Sequence, residues 1–210
     1  KAFIDSLAES VKVWFYLFNV EQSYYNEDTK EWIQKLNRLG LSAFAPLLMA
    51  AMTKEKDEPK LLKLIQAIEN FIFLVFQLTQ RPSNTKNNHF YRLANSYYFS
   101  KDKIEIDRVI DNIEWMTQGE EGGDGTEDEY VYRGWFDFEK FQSYITELAD
   151  KNEGYYSWGG LRYFLYEYEL HLQEKANNNQ KVSWTDFTKR KKEDTIEHIY
   201  PQTPKDDCWK

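Results

Sequence analysis

Cysteine is almost missing: Cys208 is the single one among 210 residues, so no intrachain disulfide can form and no CxxC pair is available to build a zinc site. Such a composition fits a reducing compartment, and the expectation is a cytoplasmic protein. Positive charge is also short, with 27 basic against 35 acidic residues and a net charge of −8. That balance excludes a nucleic-acid footprint over the whole surface, so any such contact has to be local. No long run is free of polar residues. The greasiest stretch, Leu61 to Leu78, carries Lys63, Gln66, Glu69, Asn70 and Gln77, and charges at that depth would cost several kcal/mol each in a bilayer. It reads as a core helix, and no membrane partner is expected. The chain opens on Lys1 with neither an initiator Met nor the basic-then-apolar order of a signal peptide. A fragment of a longer protein is therefore expected.

What is present in quantity is aromatic and helix-forming. Hydrophobic residues make up 41% and aromatics 17%, enough for a real core in one large domain or two small ones. From Ala2 to Phe18 the residues Phe3, Leu7, Val11, Trp14 or Phe15 and Phe18 recur at three to four, the spacing of one helix face. A second helix carries Trp32, Ile33 and Leu36, with Asp28 or Thr29 as its cap and Gly40 as its stop. A third follows over Ser42 to Met52, where Pro46 falls within a first turn and its missing N–H costs little. Behind Asp57 and Pro59, a wide stripe from Leu61 to Leu78 predicts about five turns. Arg81-Pro82-Ser83-Asn84 ends it.

Helices resume over Phe90 to Phe99 and Ile104 to Met116. The stretch Gly119 to Glu129, "GEEGGDGTEDE", holds six acids and no apolar residue, so it has nothing to bury against the entropy of ordering and reads as a solvated loop. The spacing of a calcium-binding loop is absent from those acids. Beyond it, Trp135, Phe138, Phe141, Ile145 and Leu148 form one stripe, and Leu161, Phe164, Leu165, Tyr168 and Leu172 share a second face. Val182-Ser183-Trp184 and Thr195-Ile196-Glu197-His198-Ile199 are short β-branched or aromatic pieces that read as extended. The tyrosine-rich groups near 155–168 fit packing better than base stacking, because their spacing follows a helix face.

Of three histidines, His89 and His171 have no Asp, Cys or second His near them in sequence and read as ordinary residues. His198 differs. It follows Glu197, sits among Thr195, Ile196 and Ile199, and precedes Pro201, which suggests a strand ending in a fixed turn. Hydrolysis of a phosphodiester needs a base for water and a divalent cation to neutralise charge on the phosphate oxygens. A carboxylate suits a hard cation, while a neutral imidazole accepts a proton near pH 7. Spacing alone does not separate this from an incidental strand histidine, since a dipeptide cannot specify a site. The basic run Lys189, Arg190, Lys191 and Lys192 is either a phosphate-contacting patch or a solvated turn.

"TIEHIYPQTP" (Thr195 to Pro204) resembles the opening of the HNH-type nuclease motif in the C-terminal domain of the GmrSD family of modification-dependent restriction enzymes and related phage-defence proteins. "IENFIFLVFQLTQRPSN" and "GLRYFLYEYEL" resemble the helical region that links that family's nucleotide-dependent N-terminal domain to its nuclease domain. The resemblance implies a ββα-metal site with His198 as general base, Glu197 as metal ligand and Pro201 shaping the turn. It also implies Mg or Mn as cofactor in the full-length protein, a nucleotide in the N-terminal domain, and DNA as partner. The motif's later Asn and closing His have no counterpart after His198, and the N-terminal Asp-Gly-Gln-Gln-Arg signature is absent from the chain. The fragment is accordingly expected to be inactive.

The expected fold is mainly α, a bundle of eight or nine helices in one or two subdomains with a truncated ββα entry at the C-terminus. The expected organisation is a helical subdomain over 1–118, an acidic loop over 119–130, a second helical segment over 131–180 and the start of the nuclease domain over 181–210. Association with a second copy stays open. The rival expectation is a non-enzymatic helical interaction module in which Glu197-His198 is incidental.

Overall fold

The computed structural model describes residues 2–99, 104–119, 134–150, 154–177 and 182–189. Among them are the α-helices α1 (Ala2–Phe18), α2 (Glu27–Leu39), α3 (Ala45–Lys54), α4 (Glu58–Phe71), α5 (Asn87–Phe99), α6 (Ile106–Gln118), α7 (Phe138–Asp150), α8 (Leu161–Lys175) and α9 (Trp184–Thr188), and no β-strand among the described residues. The mainly α architecture agrees with the periodicity. Two compact units divide within α8, Lys1–Phe164 and Leu165–Lys210. All of the acidic loop expected over 119–130 except Gly119, and all of the ββα entry expected over 181–210 except 182–189, lie outside the described residues.

In the first unit α4 is the central helix. It packs against α2 and α6, while α3 packs against α1 and α5. Leu61, Leu64, Ile65, Ile68, Phe71, Ile72 and Val75 are all essentially buried in this core. Glu58–Leu78 is long and apolar enough to cross a membrane by length and composition, but this burial against α2 and α6 makes it a core helix. Local chemistry sets several ends. Asp57 accepts from the Lys60 N–H at 3.3 Å to cap α4, and Gly40 stops α2 at φ 88°, its N–H donating to the Leu36 carbonyl at 2.8 Å. The cap of α2 is Asn26, not Asp28 or Thr29: its side chain accepts from the Thr29 N–H at 2.8 Å, so Thr29 is the capped residue.

After Phe71 the helix continues as a seven-residue π-helix, Ile72–Leu78, where periodicity predicts α-helix. Thr79 explains how the wider turn is held. Its backbone N–H and its hydroxyl each donate to the Leu74 carbonyl at 3.0 Å, and the hydroxyl also accepts from the Asp137 N–H at 3.1 Å. The Trp158 indole N–H donates to the Gln77 carbonyl at 2.9 Å. Asp137 and Trp158 lie more than fifty residues away in sequence, beyond the reach of a local pattern. The segment 134–137 docks here as well, with Trp135 and Phe136 N–H groups each donating at 2.9 Å to the carbonyls of Met116 and Thr117. A Cβ on Gly134 would lie 2.4 Å from the Gly119 nitrogen, so only glycine allows this approach.

Two expected faces are corrected. In α1, Leu7, Val11, Trp14, Phe15 and Phe18 are exposed, whereas Val13 and Leu17 are buried. This helix is apolar on more than one side, so spacing alone cannot choose which side meets the core. Leu17→Ala is expected to cost about 2–5 kcal/mol and Leu7→Ala to stay within about 0.5 kcal/mol, measured by chemical denaturation. In α8 the expected face of Phe164, Leu165, Tyr168 and Leu172 is exposed, and the buried residues are Tyr163, Tyr166 and Gln173. The tyrosines are buried where their hydroxyls find acceptors: Tyr163 donates to Glu69 Oε1 at 2.5 Å within the first unit, and Tyr166 to the Val182 carbonyl at 2.9 Å within the second. Of the stripe expected around α7, Trp135 precedes the helix and packs on the main core, Leu148 is buried and Phe138 is exposed.

Candidate functional site

The terminal motif follows α9 in sequence, and the residues around α9 explain why a five-residue helix forms there. Ser183 and Asp186 make a reciprocal cap. The Ser183 hydroxyl accepts from the Asp186 N–H at 3.1 Å and donates to Asp186 Oδ2 at 2.7 Å. Val182-Ser183-Trp184 is therefore the entry to a helix: Ser183 keeps an extended backbone as the cap, but Trp184 is the first helical residue, which corrects the β-branched and aromatic reading of the whole piece. The Ser-x-x-Asp spacing was the signal that reading passed over.

An aromatic clamp holds α9 in place. The Tyr166 ring lies 5.1 Å from Trp184 and 5.4 Å from Phe187, and the latter two stack at 6.1 Å with 24° between their planes. With the Tyr166 hydroxyl bound to the Val182 carbonyl, both ends of the short helix are tied to α8. Contacts of this kind contribute roughly 0.5–1.5 kcal/mol each beyond area burial, and together they offset the high cost of nucleating so short a helix. The chain then passes through Lys189, whose N–H donates to the Thr185 carbonyl at 3.0 Å.

Of the basic run, Lys189 is described. It is exposed and pairs with Asp186 at 3.3 Å, both side chains being more than half exposed. An exposed pair of this kind contributes about 0–1 kcal/mol and exchanges readily for another anion. Arg190, Lys191, Lys192, Glu197, His198 and Pro201 lie outside the described residues. The other histidines are placed: His171 is exposed on α8, and the His89 Nε2 lies 2.8 Å from Asn112 Oδ1. Among the described residues no group of three His, Cys, Asp or Glu side chains converges as metal ligands.

Residues 138–210, from the first residue of α7 to the last of the chain, match the family model for the GmrSD restriction endonucleases, C-terminal domain. The C-terminal portion of the chain is thus similar to the GmrSD type that the Glu197-His198 motif resembles, and α7, α8 and α9 lie within the matched stretch. Neither the curated proteins nor the solved structures contain a match to the chain.

Proposed function

We propose that the chain is part of a metal-dependent DNA endonuclease of a restriction or phage-defence system, with His198 as general base and Glu197 as the cation-binding acid. The observation that carries this reading is the match over residues 138–210, which contains the whole Glu197 to Pro201 segment. A neutral imidazole at His198 takes a proton from the attacking water, and Pro201 limits the turn that presents it. The carboxylate of Glu197 suits Mg or Mn, which would neutralise charge on the scissile phosphate. Lys189, Arg190, Lys191 and Lys192 then contact neighbouring phosphates. The helices ahead of residue 138 link a nucleotide-dependent domain to the nuclease and pass its state on.

The test uses the complete gene product with Mg or Mn on modified and unmodified plasmid DNA. Cation-dependent cleavage that a chelator abolishes is the expected result, together with an Asn and a His encoded within a few dozen residues after Lys210. A gene lacking both, or no cleavage with either metal, ends the nuclease reading. A non-enzymatic interaction module is the second reading, and the exposed apolar side chains of Ile4, Leu7, Val11, Trp14, Phe15 and Phe18 on α1 favour it.

A further inference from the structure

The first unit carries a surface whose chemistry is opposite to that of the chain as a whole. Between Asn70 and Lys101 there is no aspartate or glutamate, in a protein with 35 of them. The structure brings the middle of this acid-free stretch, the turn before α5 and the outer side of its first turns, to one broad depression of about 660 Å³. Its lining includes Asn84, Lys86, Asn88, His89 and Arg92. A second depression of about 400 Å³ adjoins it through Asn88 and Arg92 and extends along α5 past Tyr91. No carboxylate lines either.

The fold dictates this presentation. Phe90, Ala94 and Tyr97 are buried and anchor α5 to the core, which turns Asn88, Tyr91, Arg92 and Asn95 outward at helical spacing. Lys86 precedes α5 at φ 62°, and its ammonium sits 5.3 Å from the centre of the Trp135 ring. Arg81 lies against the same ring at 4.4 Å and uses its Nε on the Trp135 carbonyl at 3.2 Å. Among the described residues neither Lys86 nor Arg92 is held by an acid.

We propose that this surface is a docking site for the phosphate backbone of duplex DNA, built from residues other than the terminal motif; the choice of DNA rests on the endonuclease reading. Two cations that no described acid holds, flanked by asparagine amides, match phosphate oxygens, which take contacts from Arg, Lys and Asn alike. The depression is open and shallow, so it suits a continuous polyanion running past it. Backbone contacts of this type position a duplex without reading its sequence. With an overall charge of −8, attraction is confined to local cationic patches such as this one, which limits the registers open to the DNA.

The experiment measures binding of a short labelled duplex to the 210-residue chain by fluorescence anisotropy, over about 50–200 mM salt. The variant is Lys86→Asn with Arg92→Gln; asparagine tolerates the positive φ at position 86, so the fold is preserved while both charges go. The expected result is affinity at least about tenfold weaker and a salt slope smaller by about two. Lys63→Ala, on the exposed side of α4, should bind like the parent chain. Helical circular dichroism confirms that each variant folds, and Arg92→Glu alone supplies an independent loss of binding. No duplex binding by the parent chain at about 50 mM salt, or equal binding by the double variant, overturns the proposal. This assay needs no catalysis. Cleavage by the complete gene product with unchanged binding in the double variant would defeat the docking site alone, and charge-dependent binding without cleavage would defeat the nuclease reading alone.

Discussion

His198→Ala in the complete gene product is expected to lower cation-dependent DNA cleavage by about 10²–10⁴-fold, the range over which a positioned general base accelerates proton transfer. The alanine leaves water to be deprotonated by solvent alone. Affinity for duplex should change little, because phosphate contacts and not the imidazole supply it. The helical content of the two units should also persist, since α9 is capped by Ser183 and Asp186 and packed by the Tyr166, Trp184 and Phe187 rings. Single-turnover cleavage under saturating enzyme separates chemistry from binding. A His198→Ala protein that cuts at the parent rate would remove that residue from the mechanism, and Glu197→Gln would then be expected to be silent as well. If the assignment is right, Glu197→Gln instead raises the cation concentration needed for half-maximal cleavage, because an amide oxygen is a weaker ligand for a hard cation than a carboxylate.

Phe71→Ala should destabilise the first unit by about 3–5 kcal/mol, the usual cost of deleting a buried ring. Phe71 is fully buried, and its ring centre lies 5.5 Å from Phe44, 5.1 Å from Phe90 and 5.4 Å from Phe76. It therefore ties α4 to the turn before α3, to α5 and to the π-helical continuation at once. No single neighbour can collapse into the space, so a cavity term adds to the lost transfer energy. Domains of this size hold only about 5–15 kcal/mol in total, and each kcal/mol lowers the melting temperature by about 2–4 °C. A drop of roughly 6–20 °C is therefore anticipated. Phe138→Ala, which removes a ring that is 60% exposed, should move the midpoint hardly at all. Equal losses for the two substitutions would contradict the core described above.

The helices themselves were readable because each has a local cause. Gly40, Pro46 and Asp57 mark their ends through backbone geometry that needs no distant partner. The stripe from Leu61 to Val75 is the core stripe because α4 has one dominant apolar side. The exposed sides of α1 and α8 were misread for the opposite reason. Both helices carry large apolar or aromatic residues on more than one side, and the choice between sides belongs to whatever packs against them. The terminal motif was legible as a family signature, and the match over 138–210 agrees with it. The α9 cap was missed because Val182 and Trp184 favour strands by composition, a preference that the Ser183 and Asp186 side chains outweigh locally.

Composition, capping residues and periodicity were sufficient for a helical chain with an acid-histidine motif near its end, since each of those properties arises within a turn or two of backbone. Which tyrosines are buried and where α4 widens into a π-turn around Thr79 are products of long-range packing. Such outcomes depend on the summed burial and hydrogen bonding of segments fifty or more residues apart, which no local window of sequence contains.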